Sequence, residues 1–352
     1  MMESKRIEYI DVAKFLAMVL VVFSHGFREG KLVCFLFAFH LPVFYFLNGM
    51  TLKLENQTFG EFLSKKLQRY ILPMFGLGAL CVLLEWFLKF ISNTPIPDDF
   101  VLTSLDKIIN QIRAYTIWFL PALFFVDLIM FGLSKVFKDK LSLMGITTLG
   151  ILGIGISFNL FHKIFFVWNF DASLFGLIFT YFGYLFHHKK CSRIYHLLTD
   201  KRIVAFIVGT GLLVATYHLS IYNYTTYKIH LEMFRGFYDA YYITIPCAII
   251  GCFGFTLLCR GITNFVLAKP VEINLALLAT HQIFAIPFFC LFIAKDWWYN
   301  VAYQPTTNLS YIAFVITMTC FCIAFSAVIH LILKYSPLSL IVNKPLCKLY
   351  SK

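Results

Sequence analysis

Long apolar segments alternate with short polar joints along the whole chain. A helix needs roughly 20 apolar residues to cross the ~30 Å hydrocarbon core of a bilayer. We find ten segments of this kind, at residues 9–27, 32–52, 70–91, 114–134, 141–162, 168–186, 203–222, 237–259, 273–293 and 310–333. Backbone inside a bilayer must satisfy its own hydrogen bonds, and no segment has the alternating pattern of a barrel strand. The pattern therefore predicts an all-α polytopic membrane protein, with about ten transmembrane helices in one bundle and a single domain over residues 1–352.

Composition and charge support this class of protein. Hydrophobic residues fill 60% of the 352 positions and charged residues only 14%, which is not a soluble composition. Of the 30 Lys and Arg residues, 20 fall in the joints on the side that holds both termini, 8 fall in the opposite joints, and 2 lie within the segments. Because Lys and Arg accumulate in cytoplasmic loops, we predict a multi-pass protein with both termini in the cytoplasm. The net charge of +12 then reflects topology and not nucleic-acid binding, and the lipid bilayer is a predicted partner.

Several motifs of soluble enzymes are missing from the sequence. The chain has no GxxxxGK[ST] phosphate loop, no GxSxG elbow and no HExxH zinc motif. Its ten cysteines contain no CxxC pair and lie mostly within the apolar segments. We therefore predict buried free thiols and no metal site.

Three polar side chains interrupt the first apolar segment, which reads DVAKFLAMVLVVFSH over residues 11–25. The eleven residues from Lys14 to His25 advance a helix by about 16 Å and return to within ~20° of the same face. One interpretation is structural: Lys14 reaches the cytoplasmic interface and pairs with Asp11, while His25 meets interfacial water. The other is functional, because an ionisable residue within a membrane span marks a functional site by default.

Other ionisable residues lie within the predicted spans. Glu85 precedes Lys89 by one helical turn, so we expect an internal ion pair there. Asp127 has no Lys or Arg within one turn, which makes it a candidate to orient a histidine or the acceptor of a reaction. His40 enters on the second segment from the same side as His25, and we expect that it approaches His25.

Two further stretches, FHLPVFYFLNGM at 39–50 and KKLQRYILP at 65–73, make a family recognisable. The chain resembles the acyltransferase-3 family of bacterial membrane acyltransferases. That family carries a basic residue followed after ten residues by histidine, which Lys14 and His25 match, with Asp11 three residues before the basic position. The resemblance spans nearly the whole chain.

The resemblance extends to later landmarks. HLPVFYFLNG is similar to a histidine, proline and aromatic run of the family, with Asn48 where serine is usual. Lys66 and Arg69 match a pair of basic residues spaced three apart, with lysine in place of the more usual arginine. WFLPAL (118–123), YFGYLF (181–186) and THQIF (280–284) resemble further landmarks. In the last of these, His281 either serves the family's function or bonds a backbone carbonyl.

The resemblance implies an integral-membrane O-acyltransferase. It would move an acyl group, most simply acetyl, from acyl-CoA to a hydroxyl of a cell-surface glycan or lipid-linked sugar. His25 would be the general base, because a neutral imidazole takes up a proton near pH 7. Asp127 and His40 are the further catalytic candidates, and the protein would lie in the bacterial cytoplasmic membrane.

The donor site implied by the resemblance lies on the cytoplasmic side. Lys14, Lys66 and Arg69 would bind the phosphates of acetyl-CoA, because ammonium and guanidinium groups both suit phosphate. Asp11 would complete this site beside Lys14. The first helix would then separate the donor anchor from the reacting group.

Two alternatives to the O-acyltransferase stay open at this point. An exporter of polysaccharide or a small solute would also need helices with buried charges, but it has no need of a base at His25. An N-acyltransferase acting on an amino sugar would use the same residues on a different nucleophile. A homo-oligomer is compatible with each of these functions.

Overall fold

The computed structural model describes residues 7–27, 30–138, 140–161, 165–188, 192–227, 231, 233, 240–263, 268–301, 305, 308–336 and 339. The structure is 86% helical, and the described residues contain no strand. We number the described helices α1 (Glu8–Ser24), α2 (Lys31–Phe39), α3 (Pro42–Thr51), α4 (Phe59–Ile91), α5 (Phe100–Asn110), α6 (Thr116–Phe137), α7 (Leu141–Phe161), α8 (Phe170–His187), α9 (Ser192–Asp200), α10 (Arg202–Tyr227), α11 (Tyr241–Ile262), α12 (Lys269–Ile293), α13 (Lys295–Val301) and α14 (Leu309–Tyr335).

Eight helical segments of the described chain are long and apolar enough to cross a membrane. They are α2 and α3 taken together, α4, α6, α7, α10, α11, α12 and α14. The predicted segments 9–27 and 168–186 form α1 and α8, which have 17 and 18 residues and fall outside these eight. The prediction of an all-α polytopic membrane protein is confirmed, and eight of the ten predicted segments form helices of the described chain that are long and apolar enough to cross a membrane.

Two predictions made from the sequence fall partly outside the described residues. Among the basic residues counted in the joints, those outside are Lys5, Arg6, Arg28, Lys163, Lys189, Lys190, Lys228, Arg235, Lys344, Lys348 and Lys352. Cys191 and Cys347 also lie outside. The eight cysteines that the structure describes are free, and all but Cys320 are buried, which confirms the prediction of buried free thiols for the seven buried ones.

A break separates α2 from α3 in the middle of one predicted span. α2 ends at Phe39, and α3 begins with Pro42. Proline has no N–H to donate to the carbonyl one turn earlier, so it is tolerated at the start of a helix and interrupts a longer one. The break leaves His40 at the end of α2, where its Nδ1 lies 2.7 Å from the carbonyl oxygen of Leu36.

In each of α4 and α12 a wide π turn lies just before a proline, and α12 ends in a further π turn, Phe289–Ile293. In α4 the π turn is Leu67–Ile71, and Pro73 follows it by two residues. In α12 the π turn is His281–Ala285, and Pro287 follows it at the same spacing. A π turn accommodates one extra residue in a helix and occurs frequently at functional sites. Both turns contain polar residues that line a central cavity: Arg69 and Tyr70 in α4, and His281 and Gln282 in α12.

Close packing of α3 against α8 depends on glycine. A Cβ added at Gly49 would collide with the carbonyl oxygen of Thr180, and one added at Gly183 would collide with the carbonyl oxygen of Phe46. Small residues let helix backbones approach closely, which is a main source of packing energy between helices in a membrane. This contact holds α3, and with it the residues after His40, against the core of the bundle.

We expect that Gly183→Ala destabilises the protein, because the colliding atoms are backbone and cannot rotate away. Overpacking of this kind costs about 1–3 kcal/mol or more, equivalent to a fall of about 2–10 °C in melting temperature for a protein of this size. The measurement is the thermal transition of the purified protein in detergent. Gly153→Ala is the matched control, because nothing lies within 4 Å of its added Cβ. A Gly183→Ala protein that melts with the control would contradict the close approach.

Candidate active site

A cavity of about 630 Å³ lies between α1, the α2–α3 break, α4, α6 and α12. Its walls are largely apolar, and a smaller set of polar side chains points into it. Four of the predicted site residues are among its lining residues: Lys14, His25, His40 and Arg69. The further polar side chains of its wall are Ser24, Asn48, Tyr70, Thr116, Asn274, His281 and Gln282. The structure therefore brings residues from five separated parts of the chain to one place.

α1 runs along this cavity and presents one stripe to it. Lys14, Met18, Val21 and His25 all line the cavity, at the spacing that keeps side chains on one face of a helix. His25 caps the C-terminal end of α1 and is exposed to the cavity, whereas Lys14 is half-buried near the other end. The predicted common face of Lys14 and His25 is thus present, about 16 Å apart along the axis. Asn274 of α12 donates from Nδ2 to the carbonyl oxygen of Lys14 at 2.9 Å, which ties this end of the stripe to α12.

A second cavity, of about 550 Å³, adjoins the first at its basic end. Lys14 and Arg69 line both cavities. The other lining residues of the second cavity come from the joint between α3 and α4 and from the first turns of α4: Thr51, Lys53, Glu55, Gln57, Phe62, Lys65 and Lys66. Five of its nine lining residues are thus basic, against one acidic residue. We call the larger one the histidine cavity and the smaller one the basic cavity.

A buried network of four polar side chains supports the junction of the two cavities. Asp127 of α6 is wholly buried, and its Oδ2 lies 2.6 Å from the Nζ of Lys66. The same carboxylate accepts from Nδ2 of Asn48 at 2.6 Å and from the hydroxyl of Tyr70 at 3.0 Å. Tyr70 also contacts Oδ1 of Asn48 at 3.1 Å. The network links α3, α4 and α6 around one negative charge.

These contacts place two of the predicted site residues, Asp127 and Lys66, in the buried network. The carboxylate of Asp127 holds Lys66, Asn48 and Tyr70 in place. It also lies behind the lining residues of both cavities. The charge of Lys66 is compensated by Asp127, so Lys66 contributes to the basic cavity mainly as part of this internal pair.

Arg69 is placed differently from its neighbours. Lys66 and Tyr70 are buried, but Arg69 is exposed, and its guanidinium lies 5.4 Å from the centre of the Tyr70 ring. The π turn Leu67–Ile71 contains both Arg69 and Tyr70 and directly follows Lys66. One side of this wide turn therefore enters the buried network while Arg69 faces the two cavities.

The histidines of the histidine cavity are arranged in an unexpected way. The ring beside His25 belongs to His281, with the ring centres 5.3 Å apart and the planes inclined by 36°. His40, which we expected to approach His25, is buried and packs on the ring of Phe37 at 4.7 Å. His40 and His281 each place Nδ1 2.7 Å from the carbonyl oxygen four residues earlier in their helices. Nδ1 donates in such a contact, because a carbonyl only accepts.

The structure also locates an acidic residue and an ion pair named from the sequence. Asp11 is half-buried on α1, and the described lining residues of the two cavities do not include it. The predicted pair of Glu85 and Lys89 is confirmed, with 3.9 Å between Oε1 and Nζ.

Sequence reasoning did not identify several residues of the site. Tyr70 lies four residues after Lys66, so helical spacing offered a signal for a shared face. Asn274 and Gln282 carried no comparable signal, because their positions depend on how α12 packs against α1. His281 was recognised as a landmark, but its place beside His25 is a contact across 256 residues of chain that no local pattern contains.

Comparison with known families identifies the chain. A family model described as an acyltransferase domain, that of the acyltransferase-3 family, matches residues 7–330. No curated protein and no solved structure matches the chain. The family match covers α1 to α13, most of α14 and every residue of the two cavities, and it decides between an enzyme and an exporter in favour of the enzyme. The chain therefore belongs to the acyltransferase-3 family and is a multi-pass membrane acyltransferase.

Proposed function

We propose that the protein is an O-acyltransferase of the bacterial cytoplasmic membrane, with both termini in the cytoplasm. It transfers acetyl from acetyl-CoA to a hydroxyl group of a cell-surface glycan or a lipid-linked sugar. The observation that carries this proposal is the sharing of Lys14 and Arg69 between the basic cavity and the cavity that His25 lines. One continuous site then has an anion-binding end and a proton-accepting end.

The basic cavity suits the phosphate groups of the donor. Lys53 and Lys65 are exposed there, and Lys14 and Arg69 face it from the inner side. An arginine fork and several ammonium groups together bind phosphate oxygens through charge-assisted hydrogen bonds. Lys65 also contacts the side-chain oxygen of Gln57 at 3.0 Å, which keeps this part of the joint close to α4.

The histidine cavity suits the remainder of the donor. Between Lys14 and His25 the stripe of α1 offers Met18 and Val21, an apolar surface against which an extended pantetheine arm packs. The arm has to reach about 16 Å from the basic end to the imidazole. The thioester would then lie beside His25, away from the water that the charged end attracts.

The reaction requires two proton transfers, one to His25 and one from it. His25 takes the proton from the acceptor hydroxyl as its oxygen attacks the thioester carbonyl. The carbon–sulfur bond then breaks, and the proton on His25 passes to the departing thiolate. The products are an O-acetyl ester and free coenzyme A, so atoms and charge balance without a metal or a redox step.

Binding of acetyl-CoA tests the donor half of this proposal. In isothermal titration of the purified protein in nanodiscs, we expect that Lys14→Ala and Arg69→Ala each weaken binding by at least about tenfold. A lost charge-assisted hydrogen bond costs about 1.5–3 kcal/mol, which corresponds to that factor or more. His25→Ala should bind as the wild type does, because the imidazole lies at the far end of the stripe.

Arg202→Ala is the matched control for loss of a basic residue. Arg202 is exposed at the start of α10 and lines neither described cavity. If the control weakens binding as much as Arg69→Ala, the effect is one of general charge and the phosphate site is refuted. If well-folded wild type does not bind acetyl-CoA at millimolar concentration, acetyl-CoA is not the donor.

A further inference from the structure

His281 is a buried histidine that takes no part in the proton transfers assigned to His25. It is the first residue of the π turn in α12, it is 0% exposed, and it lines the histidine cavity. The wider turn also places the next residue, Gln282, in the cavity wall. Most buried polar atoms have a hydrogen-bond partner, so an unpaired ring nitrogen in the wall of a cavity is a place where a ligand can bond.

The hydrogen bonding of His281 fixes its chemistry. Nδ1 lies 2.7 Å from the carbonyl oxygen of Leu277, so Nδ1 carries the hydrogen. In the neutral ring Nε2 is then an acceptor with a lone pair. The described residues offer this Nε2 no hydrogen-bond partner, although it is fully enclosed. An unpaired acceptor on a side chain of the cavity wall is placed to meet a donor on a ligand.

The neighbouring imidazole shows which ligand group this is. The ring centres of His25 and His281 lie 5.3 Å apart, so two imidazoles stand side by side in one wall of the cavity. Neighbouring hydroxyl groups of a sugar are spaced closely enough to meet two such rings at once. Each imidazole would then accept a hydrogen bond from one of two hydroxyl groups on the same molecule. His25 would deprotonate one hydroxyl, and His281 would only bind the other.

We propose that His281 binds the acceptor, with Nε2 accepting a hydrogen bond from the hydroxyl next to the one that His25 deprotonates. The acceptor is accordingly a vicinal diol, as in a sugar or another polyol. This inference rests on the proposed function and adds to it a specificity-determining residue. Water and simple alcohols lack the second hydroxyl and gain nothing from His281.

The test compares acceptors that differ by one hydroxyl. Purified protein in nanodiscs is given acetyl-CoA with a panel of methyl hexopyranosides and their monodeoxy analogues, and with no acceptor, where water hydrolyses the thioester. For the glycoside that is acetylated best, we expect that removing the hydroxyl next to the acetylated one lowers kcat/KM by about tenfold, the loss of one hydrogen bond. In His281→Phe the intact glycoside should fall to the level of its deoxy analogue.

His330→Phe is the matched control. His330 is buried in α14 and also has a ring nitrogen without a hydrogen-bond partner among the described residues, but it does not line the histidine cavity. The control should keep the preference for the diol. His281→Gln retains an acceptor oxygen and should keep part of that preference.

If His281→Phe does not fold, the comparison of glycosides in the wild type still decides whether the enzyme requires a diol.

The outcomes separate this inference from the function on which it rests. Wild type that neither binds nor consumes acetyl-CoA would overturn the proposed function and this inference with it. Wild type that acetylates diols no better than deoxy analogues would overturn the role of His281 alone. Wild type that hydrolyses acetyl-CoA but acetylates no glycoside of the panel would overturn the proposed sugar acceptor and the role of His281 with it. The role of His281 is also overturned if His281→Phe keeps the full preference for the diol, or if His330→Phe loses that preference to the same extent.

Discussion

Replacement of His25 by alanine is expected to slow acyl transfer by about 10²- to 10⁴-fold, the usual contribution of a positioned general base. The reason is geometric, because His25 lies at the end of the α1 stripe and its side chain is exposed to the histidine cavity. The measurement is release of free coenzyme A and of acetylated acceptor by purified protein in nanodiscs. Binding of acetyl-CoA should be unchanged, so the loss falls on the rate and not on donor affinity.

His218→Ala is the control for this experiment. His218 is exposed on α10 and lines neither described cavity, so its replacement should leave the rate of transfer unchanged. A His25→Ala protein that keeps more than about one tenth of the wild-type rate would exclude His25 as the general base. Equal losses in His25→Ala and His218→Ala would point to damage to folding.

Replacement of Asp127 by alanine is expected to lower stability by about 3–5 kcal/mol, the cost of leaving a buried charge without its partner. Lys66 would stay buried, but its ammonium would lose the Asp127 carboxylate that lies 2.6 Å away in the wild type. Asn48 and Tyr70 would lose their shared acceptor at the same time. The measurement is the thermal transition in detergent, which should fall far more than for Asp200→Ala, an exposed aspartate at the end of α9.

A double variant separates the charge from the packing. Lys66→Met combined with Asp127→Asn removes both charges and retains side chains of similar volume, and such replacements are often neutral or stabilising. We expect that the double variant recovers most of the stability that Asp127→Ala loses. If Asp127→Ala melts with the wild type, the network is not what holds α3, α4 and α6 together.

The sequence predicts some features of the site well because they are local. The stripe from Lys14 to His25 follows from helical periodicity alone, and the structure places both residues in one cavity. Family spacing led in the same way to Arg69 and His40, which line that cavity too. Each of these spacings lies within a short stretch of sequence, so it can be recognised without knowing how the helices pack.

The contacts that the sequence did not predict join distant segments of the chain. Asp127 had no basic residue within one turn of its own helix, yet Lys66 reaches it from α4 across 61 positions of the chain. His281 stands beside His25 in place of His40 because α12 packs against α1. The prolines after the two π turns are visible in the sequence, but the wide turns themselves form only where the surrounding bundle has room for an extra residue.

The apolar side chains of the α1 stripe bear on the permeability of the membrane. A cell membrane must hold its ion gradients, and a protein with two adjoining cavities is a potential leak. Met18 and Val21 separate the charged end from the histidines and offer no polar group to replace the water around an ion. An ion that moves along this surface loses contacts with water that no side chain there replaces, which raises the free energy of its passage. The same surface that accommodates an organic arm therefore also disfavours the passage of ions along α1.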